Sequence, residues 1–381
     1  MNMGMHSVEK SIYLYILNTT DEPNNVILGH ASFAKEAGFI PVFIFPYRKN
    51  SENNENYYSE YKSIRLNYVF KNSNSYEYLV SILKLIIYTT KSLLFRSDVK
   101  HILAVDLTGT LACLILKIRG AKVYTLVNDN FSARYAIAPY AFRMLRFVEA
   151  VSYKFLSASC IFPDQSRYEL LGSPKIKSLK IIPNILQDSF APKYLGSQSN
   201  KLIILFCGWL VKSRGIELIS EILEKTDSNV EILLVGSGDS LLINELVKSQ
   251  RVTYFETVAR QEMLEIMSRI DINFAFYNPT ILINRFALPQ KVYDSLLVGC
   301  PIFINSEVEM SKDLKRNGAC ITANYFDVSA ISSKLNSLLV KKNSLLEISA
   351  SIATYRATIA NFDQVKRSAV ELYKSFLEMP K

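Results

Sequence analysis

Four short stretches between Leu202 and Pro301 bring basic residues, glycines and one carboxylate to places where a phosphate can settle. The first is the apolar run LIILFCG followed by WLVKSRGIEL, which sets Lys212 and Arg214 in a loop framed by Gly208 and Gly215. The second, EILLVGSGDS, carries Gly236, Ser237 and Gly238 after an apolar run and ahead of a helical pattern starting near Ser240. INFAFYN comes third. The fourth, NRFALPQKVYDSLLVGCP, opens with Asn284 and Arg285, passes Leu288 and Lys291, and places Asp294 on the first turns of a helix. Anions settle at helix N-termini because the first backbone N–H groups are unsatisfied and the helix dipole is positive there. Taken singly, each signal has a bland reading. Lys212 and Arg214 fit solvated loop charges, G-x-G fits a tight turn, and Asp294 fits simple stabilisation of a helix start. Their order carries more weight, because each stretch is a strand-like run, then glycine, basic or small residues, then a helix.

That order describes βα units of a parallel sheet, and it extends through most of the chain. SIYLYILNT reads as a strand, TDEPNN as a loop, VILGHASFAKEAG as a helix stopped at Gly38, and FIPVFIFPY as the second strand of a βαβ unit. KNSENNENYYSEYKS reads as a polar surface loop and NSYEYLVSILKLIIYTTKSLLF as a long helix. HILAVD, KVYTLVND, CIFPD and LKIIPN read as strands, separated by the helices TLACLILKIRG, Tyr135–Ala158 and QSRYELLG. QDSFAPKYLGSQSN is the best linker, and the alternation restarts at Leu202. The expectation is α/β, with two Rossmann-like doubly wound domains facing a cleft: residues 1–190, residues 191–355, and a C-terminal helix, 356–381, crossing back to the first.

The 381 residues suit two cores, and 49% hydrophobic content argues against disorder. Five scattered cysteines (Cys113, Cys160, Cys207, Cys300, Cys320) form no metal-ligand spacing and read as buried thiols of a reducing compartment. No Asp-x-Asp constellation asks for a metal. The most apolar early stretch is interrupted by Lys84 and Lys91, short of the roughly 20 residues a membrane span needs. The N-terminal segment, with Glu9 and no small-residue cleavage site, does not read as a signal peptide, so the expected location is cytoplasmic. The net charge of +9 is uneven: residues 1–190 hold 22 basic and 15 acidic residues (+7), and residues 191–381 hold 22 and 20 (+2). A basic, aromatic first half suits an anionic surface or phosphate-bearing acceptor. Without a dense basic run or reading motif, nucleic acid is not expected.

IIPNILQDSF, FCGWLVKSRGIEL, LLVGSGDS and FALPQKVYDSLLVGCPIF together resemble the family 4 glycosyltransferases, retaining enzymes of the GT-B fold, particularly those of bacterial surface-polysaccharide assembly. The resemblance implies transfer of a sugar from a nucleotide-diphosphate donor, UDP- or GDP-linked, with no other cofactor. Its implied acceptor is a lipid-linked glycan of O-antigen or capsule type at the inner face of the cytoplasmic membrane. It puts Arg214 where the family carries its diphosphate-binding Lys, with Lys212 assisting. It puts the loop at Asn284 and Arg285 where backbone amides hold the donor, Asp294 where a carboxylate takes the ribose hydroxyls, and Val258 in a loop whose backbone pairs with the base. Three departures stand out. Trp209 replaces the Arg after Gly208, so one cation must come from elsewhere, with Arg285 or Lys291 as candidates. Phe286 replaces the first carboxylate of the family's Glu-x7-Glu pair. Asn128-Asp129 stands where the family often has His and Asp.

In the first half, Asn128 and Asp129 end the strand KVYTLV. By the resemblance they organise donor and acceptor hydroxyls; as a bland alternative they form an Asx turn or cap the helix FSARY. Asp106 has the same two readings, with Thr108-Gly109 beside it. His30 and His101 read as structural, and His6 falls in a frayed terminus. Arg134, Arg143 and Arg146 lie among aromatics, fitting either a face that grips lipid headgroups or an ordinary core helix with surface arginines. Two further function classes stay open: a glycosyltransferase-like subunit that binds a nucleotide sugar without turnover, and an epimerase, for which no convincing carboxylate set is found.

Overall fold

The computed structural model describes residues 11–18, 24–46, 61–68, 75–135, 139–184, 192–359 and 361–378. His6, most of the TDEPNN and KNSENNENYYSEYKS loops, the end of IIPNILQDSF and the start of the linker lie outside them. The chain divides into two compact units, Met1–Leu186 with Phe362–Lys381, and Gln187–Asn361.

The first unit runs β1 (Tyr13–Leu17), α1 (Asn25–Glu36), β2 (Ile40–Pro46), β3 (Lys62–Leu66), α2 (Ser75–Leu93), β4 (His101–Val105), α3 (Asp106–Ala112) and α4 (Leu114–Ile118). It continues through β5 (Lys122–Leu126), α5 (Phe131–Tyr135), α6 (Pro139–Leu156), β6 (Ser159–Phe162), α7 (Gln165–Leu170) and β7 (Leu179–Ile181). Its seven strands lie in the order β3-β2-β1-β4-β5-β6-β7, every pair parallel. Strands β1 and β4 are apolar almost throughout because both faces are covered, by one core cluster around Leu14, Ile16 and Leu103 and another around Tyr15, Leu17 and Ile102.

The second unit runs β8 (Leu202–Leu210), α8 (Ile219–Lys225), β9 (Val230–Gly238), α9 (Ser240–Leu246), β10 (Val252–Phe255), α10 (Arg260–Arg269) and β11 (Ile272–Ala275). There follow α11 (Leu282–Arg285), α12 (Gln290–Val298), β12 (Ile302–Asn305), α13 (Glu309–Arg316), β13 (Ile321–Ala323), α14 (Val328–Val340) and α15 (Ser344–Arg356). Its six strands lie in the order β10-β9-β8-β11-β12-β13, again all parallel. Both sheets therefore contain the doubly wound 3-2-1-4-5-6 order, the first with β7 added at its edge, and each reverses beside its first strand, where ligands of such sheets bind.

Several expectations change. Lys62 and Ser63, read as loop, begin β3; an edge strand pairs on one side only, so Lys62, Ser63 and Arg65 need no apolar face. Of the helix expected over Tyr135–Ala158, the described residues give Tyr135 as the end of α5 and Pro139–Leu156 as α6. Strands β8 and β9 run on through Gly208–Leu210 and Gly236–Gly238, which the sequence reading gives to loops.

The last helix, α16 (Phe362–Glu378), belongs to the first unit, where Tyr373 and Phe376 join the core against α1 and β5. Two buried histidines meet tyrosines there: His30 Nδ1 lies 3.0 Å from the Tyr373 hydroxyl and His101 Nδ1 3.0 Å from that of Tyr124, whose ring stacks on Phe376. Burial lowers both histidines to about 4, with Lys122 and Lys100 adding to the effect at His101. The unfolded chain takes up these protons near pH 6.5 and the folded chain only near pH 4, so protonation favours unfolding between those values. Thermal unfolding midpoints are expected to fall as pH drops from 6.5 to 4.5, with up to about 1.4 kcal/mol lost per pH unit per histidine. His30→Gln should flatten that slope; an unchanged slope would show that His30 takes no part.

Candidate functional site

The second sheet reverses between β8 and β11, and the cations gather beyond those two strand ends. After β8 the chain makes a tight turn: Arg214 N–H donates to Val211 O at 2.8 Å, and Gly215 follows at φ +86°. A Cβ at Gly215 would stand 2.9 Å from that of Phe276, so only glycine lets this turn press against the chain leaving β11. Ser213 O accepts from Asn278 N–H (3.0 Å) and from Asn284 Nδ2 (3.4 Å), and Lys212 O accepts from the Tyr325 hydroxyl (3.2 Å). The turn is thus fixed on three sides.

Tyr277 lies two residues past β11, its main chain paired in both directions with the Asn305 amide. The Arg214 guanidinium sits 4.5 Å from the Tyr277 ring centre, and Lys291 Nζ sits 5.9 Å from the same ring. Neither cation has an ion-pairing carboxylate among the described residues. Burial is the main cause lowering the Lys291 ammonium below its usual range, and the Arg214 charge acts in the same direction. Lys291 comes from the first turn of α12, whose N-terminus no side chain caps. That turn is tied to the sheet by buried Asn273, which donates to Lys291 O at 2.9 Å and Ser295 Oγ at 2.7 Å. Two positive groups beside one tyrosine ring, with a helix start that no side chain caps, have the chemistry to hold a doubly charged anion.

One turn further along α12, buried Asp294 accepts on Oδ1 from Arg260 Nε (3.1 Å), Arg260 Nη2 (2.8 Å) and Gln290 Nε2 (3.2 Å). Arg260 opens α10, directly after the loop that holds Val258. Its role escapes sequence reading because a 34-residue separation gives no local signal. Tyr277 was missed likewise, as an aromatic among the apolar residues of a strand.

Other expected donor contacts change. Asn284 and Arg285 lie in the short helix α11, with Asn284 buried and its side-chain amide committed to Ser213 O and Asn278 O. The Asn284 and Phe286 backbone N–H groups are used on Ile281 O and Ile283 O, so they do not face a donor. Arg285 Nε donates to Pro279 O, which leaves Lys291, not Arg285, beside Arg214. Leu288 precedes α12, half-buried. Gly236 and Gly238 answer to strand packing: added Cβ atoms would stand 1.9 Å from Gly208 O and 2.0 Å from Leu210 O. The dipole of α9 is already used, since Asp239 caps it through Leu242 N–H. Gly208 (φ +92°) and Ser237 are exposed, while Lys212 is exposed near Glu217.

In the first unit a separate polar network gathers at the carboxyl ends of β4 and β5. Asp106 takes a left-handed backbone (φ 55°), and its Oδ1 accepts from Asn128 N–H at 2.6 Å and Asp129 N–H at 3.2 Å. Burial pushes its carboxyl up to about 7, and the nearby Asp129 charge adds to this. Asp129 pairs with Arg167 at 2.6 Å and Arg134 at 3.5 Å, and Arg167 also bonds Asn128 O. The cap of α5 is neither Asn128 nor Asp129. Glu149 of α6 accepts from Phe131 N–H and Ser132 N–H at 3.0 Å each. Arg134 therefore faces Asp129, whereas Arg143 is exposed and Arg146 packs over Phe142.

No protein-family model and no curated protein sequence matches this chain. Its fold is that of solved GT-B glycosyltransferases. Sucrose-phosphate synthase from Thermosynechococcus elongatus matches over 96% of this chain and 99% of its own, with TM-score 0.74 and 11% identity. HepE from Anabaena, solved in complex with UDP-glucose, matches over 96% and 100%, with TM-score 0.70 and 12% identity. WaaG, a glycosyltransferase involved in lipopolysaccharide biosynthesis, matches over 93% and 98%, with TM-score 0.62 and 10% identity.

Gly236→Ala is expected to lower the unfolding free energy in urea by about 2–3 kcal/mol, because the new methyl meets backbone and φ is +144°. Ser237→Ala, at an exposed neighbour, should stay within about 0.5 kcal/mol of the parent. Equal midpoints for the two variants would remove the close-approach account.

Proposed function

We propose that this protein is a nucleotide-sugar-dependent glycosyltransferase, similar to family 4, which transfers with retention to a lipid-linked glycan of bacterial surface polysaccharide. The observation that carries the reading is the pair Arg214 and Lys291, both beside the Tyr277 ring without a counter-charge among the described residues. A nucleoside diphosphate supplies that charge, and the bound nucleotides named for HepE fit the same chemistry. Asp294, held by Arg260, turns toward the ribose, and the loop at Val258 receives the base. In the reaction the bond between the anomeric carbon and the phosphate oxygen breaks as the acceptor hydroxyl bonds to that carbon on the same face. The hydroxyl proton passes to the departing phosphate, leaving a nucleoside diphosphate. Arg214 and Lys291 stabilise the charge that grows on that group. Asp129 then serves to orient the acceptor, a role compatible with its two arginine partners, since the phosphate is the base.

A second reading, a subunit that binds the nucleotide sugar without turnover, is favoured by one observation: Asp129 has both oxygens directed to arginines. Incubating the protein with labelled sugar nucleotides and polyprenyl-linked acceptors separates the two, because binding without product supports the second. By calorimetry, Arg214→Ala and Lys291→Ala should each weaken UDP or GDP binding at least tenfold, the loss of one charged contact. Unchanged affinity in both variants would end the donor-site assignment.

The proposed membrane contact rests on α6. Tyr140, Met144, Phe147 and Phe155 are exposed on it, Arg143 and Lys154 are exposed beside them, and its only acidic residue, Glu149, is buried. No described helix is long and apolar enough to cross a membrane. The protein is therefore expected at the inner membrane face as a surface binder. It should sediment with phosphatidylglycerol vesicles more than with phosphatidylcholine vesicles, and Arg143→Glu should weaken that binding roughly tenfold. Equal partition onto both vesicle types would remove the contact.

A further inference from the structure

The chain contains one tryptophan, and it is exposed. Trp209 sits near the end of β8 at 63% exposure, in a strand that is otherwise buried up to Gly208. Side chains alternate along the strand. Phe206 and Leu210 lie in one core cluster and Cys207 in the other, so Trp209 projects on the Cys207 face. Lys291 is on this face too, since Cys207 bonds Asn273, the residue that holds Lys291 O. Two strand residues advance about 7 Å, which sets the indole that far past Cys207 at the carboxyl end of β8, the strand end from which the Arg214 turn leaves.

Its neighbours leave the ring bare. The register pairs Trp209 with Ser237, and the flanking Gly208, Gly236 and Gly238 carry no side chain. A large apolar ring so displayed does not contribute to the core; its gain comes when another flat apolar face covers it. Nothing basic or acidic is contributed at this position, although the ligand beyond the cations is joined to them through phosphate. The group attached to that phosphate, on the reading above, is a pyranose. One face of such a ring presents C–H groups with partial positive charge, which suit the electron-rich face of indole. The same face suits the positive charge that develops at the anomeric carbon as the phosphate leaves.

We propose that the Trp209 indole is the stacking platform for the donor's sugar ring, and so a specificity-determining residue. It rests on the donor-site reading, and it divides the work: Arg214 and Lys291 hold the diphosphate, while Trp209 selects the sugar by the shape of its apolar face. A sugar whose hydroxyls on that face are axial stacks less well than one whose hydroxyls are equatorial.

As the only tryptophan, Trp209 makes emission near 340 nm a report from this position alone. UDP, GDP and a panel of UDP- and GDP-hexoses are titrated by calorimetry and by fluorescence. The sugar nucleotide that binds should shift or quench emission, and its parent nucleotide should bind with little change. Trp209→Ala should raise the Kd of that sugar nucleotide about tenfold, equal to about 1.4 kcal/mol. It should leave the Kd of the parent nucleotide within about twofold and the thermal midpoint unchanged, while Trp209→Phe recovers most of the affinity. Equal weakening of nucleotide and sugar nucleotide would place the indole on the base and overturn the proposal. Sugar-nucleotide binding without any emission change would overturn it as well. Should no nucleotide bind at all, the donor-site reading fails and this proposal with it.

Discussion

Two cations beside one tyrosine ring, with no ion-pairing carboxylate among the described residues, is an arrangement a folded chain does not adopt for stability. Arg214 and Lys291 repel each other, and burial adds to the penalty on Lys291. The Tyr277 ring offsets part of this through its electron-rich face, as exposed cation–π contacts do, by about 0.5–1 kcal/mol. An anion of two charges offsets far more. The surrounding structure keeps the pair in place: Gly215 packs the Arg214 turn onto Phe276, Asn273 holds the first turn of α12, and Asn305 holds Tyr277. On the proposed reading, such fixed charge costs no reorganisation when negative charge grows during bond cleavage.

The same logic explains where the stiff contacts fall. β8 and β9 approach so closely at Gly208–Gly236 and Leu210–Gly238 that no side chain fits between them. This close pairing continues β8 and β9 through Leu210 and Gly238 and sets Trp209 opposite Ser237 at the strand end. The glycines that look like a phosphate loop are therefore part of the scaffold. The two cations and the tyrosine ring between them come from three separate segments.

The polar network of the first unit is organised differently, around carboxylates. Asp106 holds the backbone after β5, Asp129 is clamped by Arg167, and Glu149 caps α5. Each carboxylate is met by backbone or arginine donors, as buried charges require. Burial pushes the Asp106 carboxyl up to about 7 and also raises that of Glu149. The left-handed backbone of Asp106 is a strained position for a residue with a side chain, and strain of this kind concentrates at working sites.

The amino-acid sequence by itself determined the alternation of strands and helices, the restart at Leu202, and the basic loop ending at Arg214. These are local properties: periodicity, glycine and charge are read within a few residues. It also limited the possible sites to a few strand ends, since βα units can present chemistry nowhere else. Only the tertiary structure decided which cation joins Arg214, because Lys291 and Arg285 have equal claims in the sequence and differ by what lies opposite them. It likewise paired Asp294 with Arg260, gave the cap of α5 to Glu149, and turned GSG from loop into strand. Those outcomes depend on residues 17 to 77 positions apart meeting in space, and the strand order that brings them together is written in no single segment.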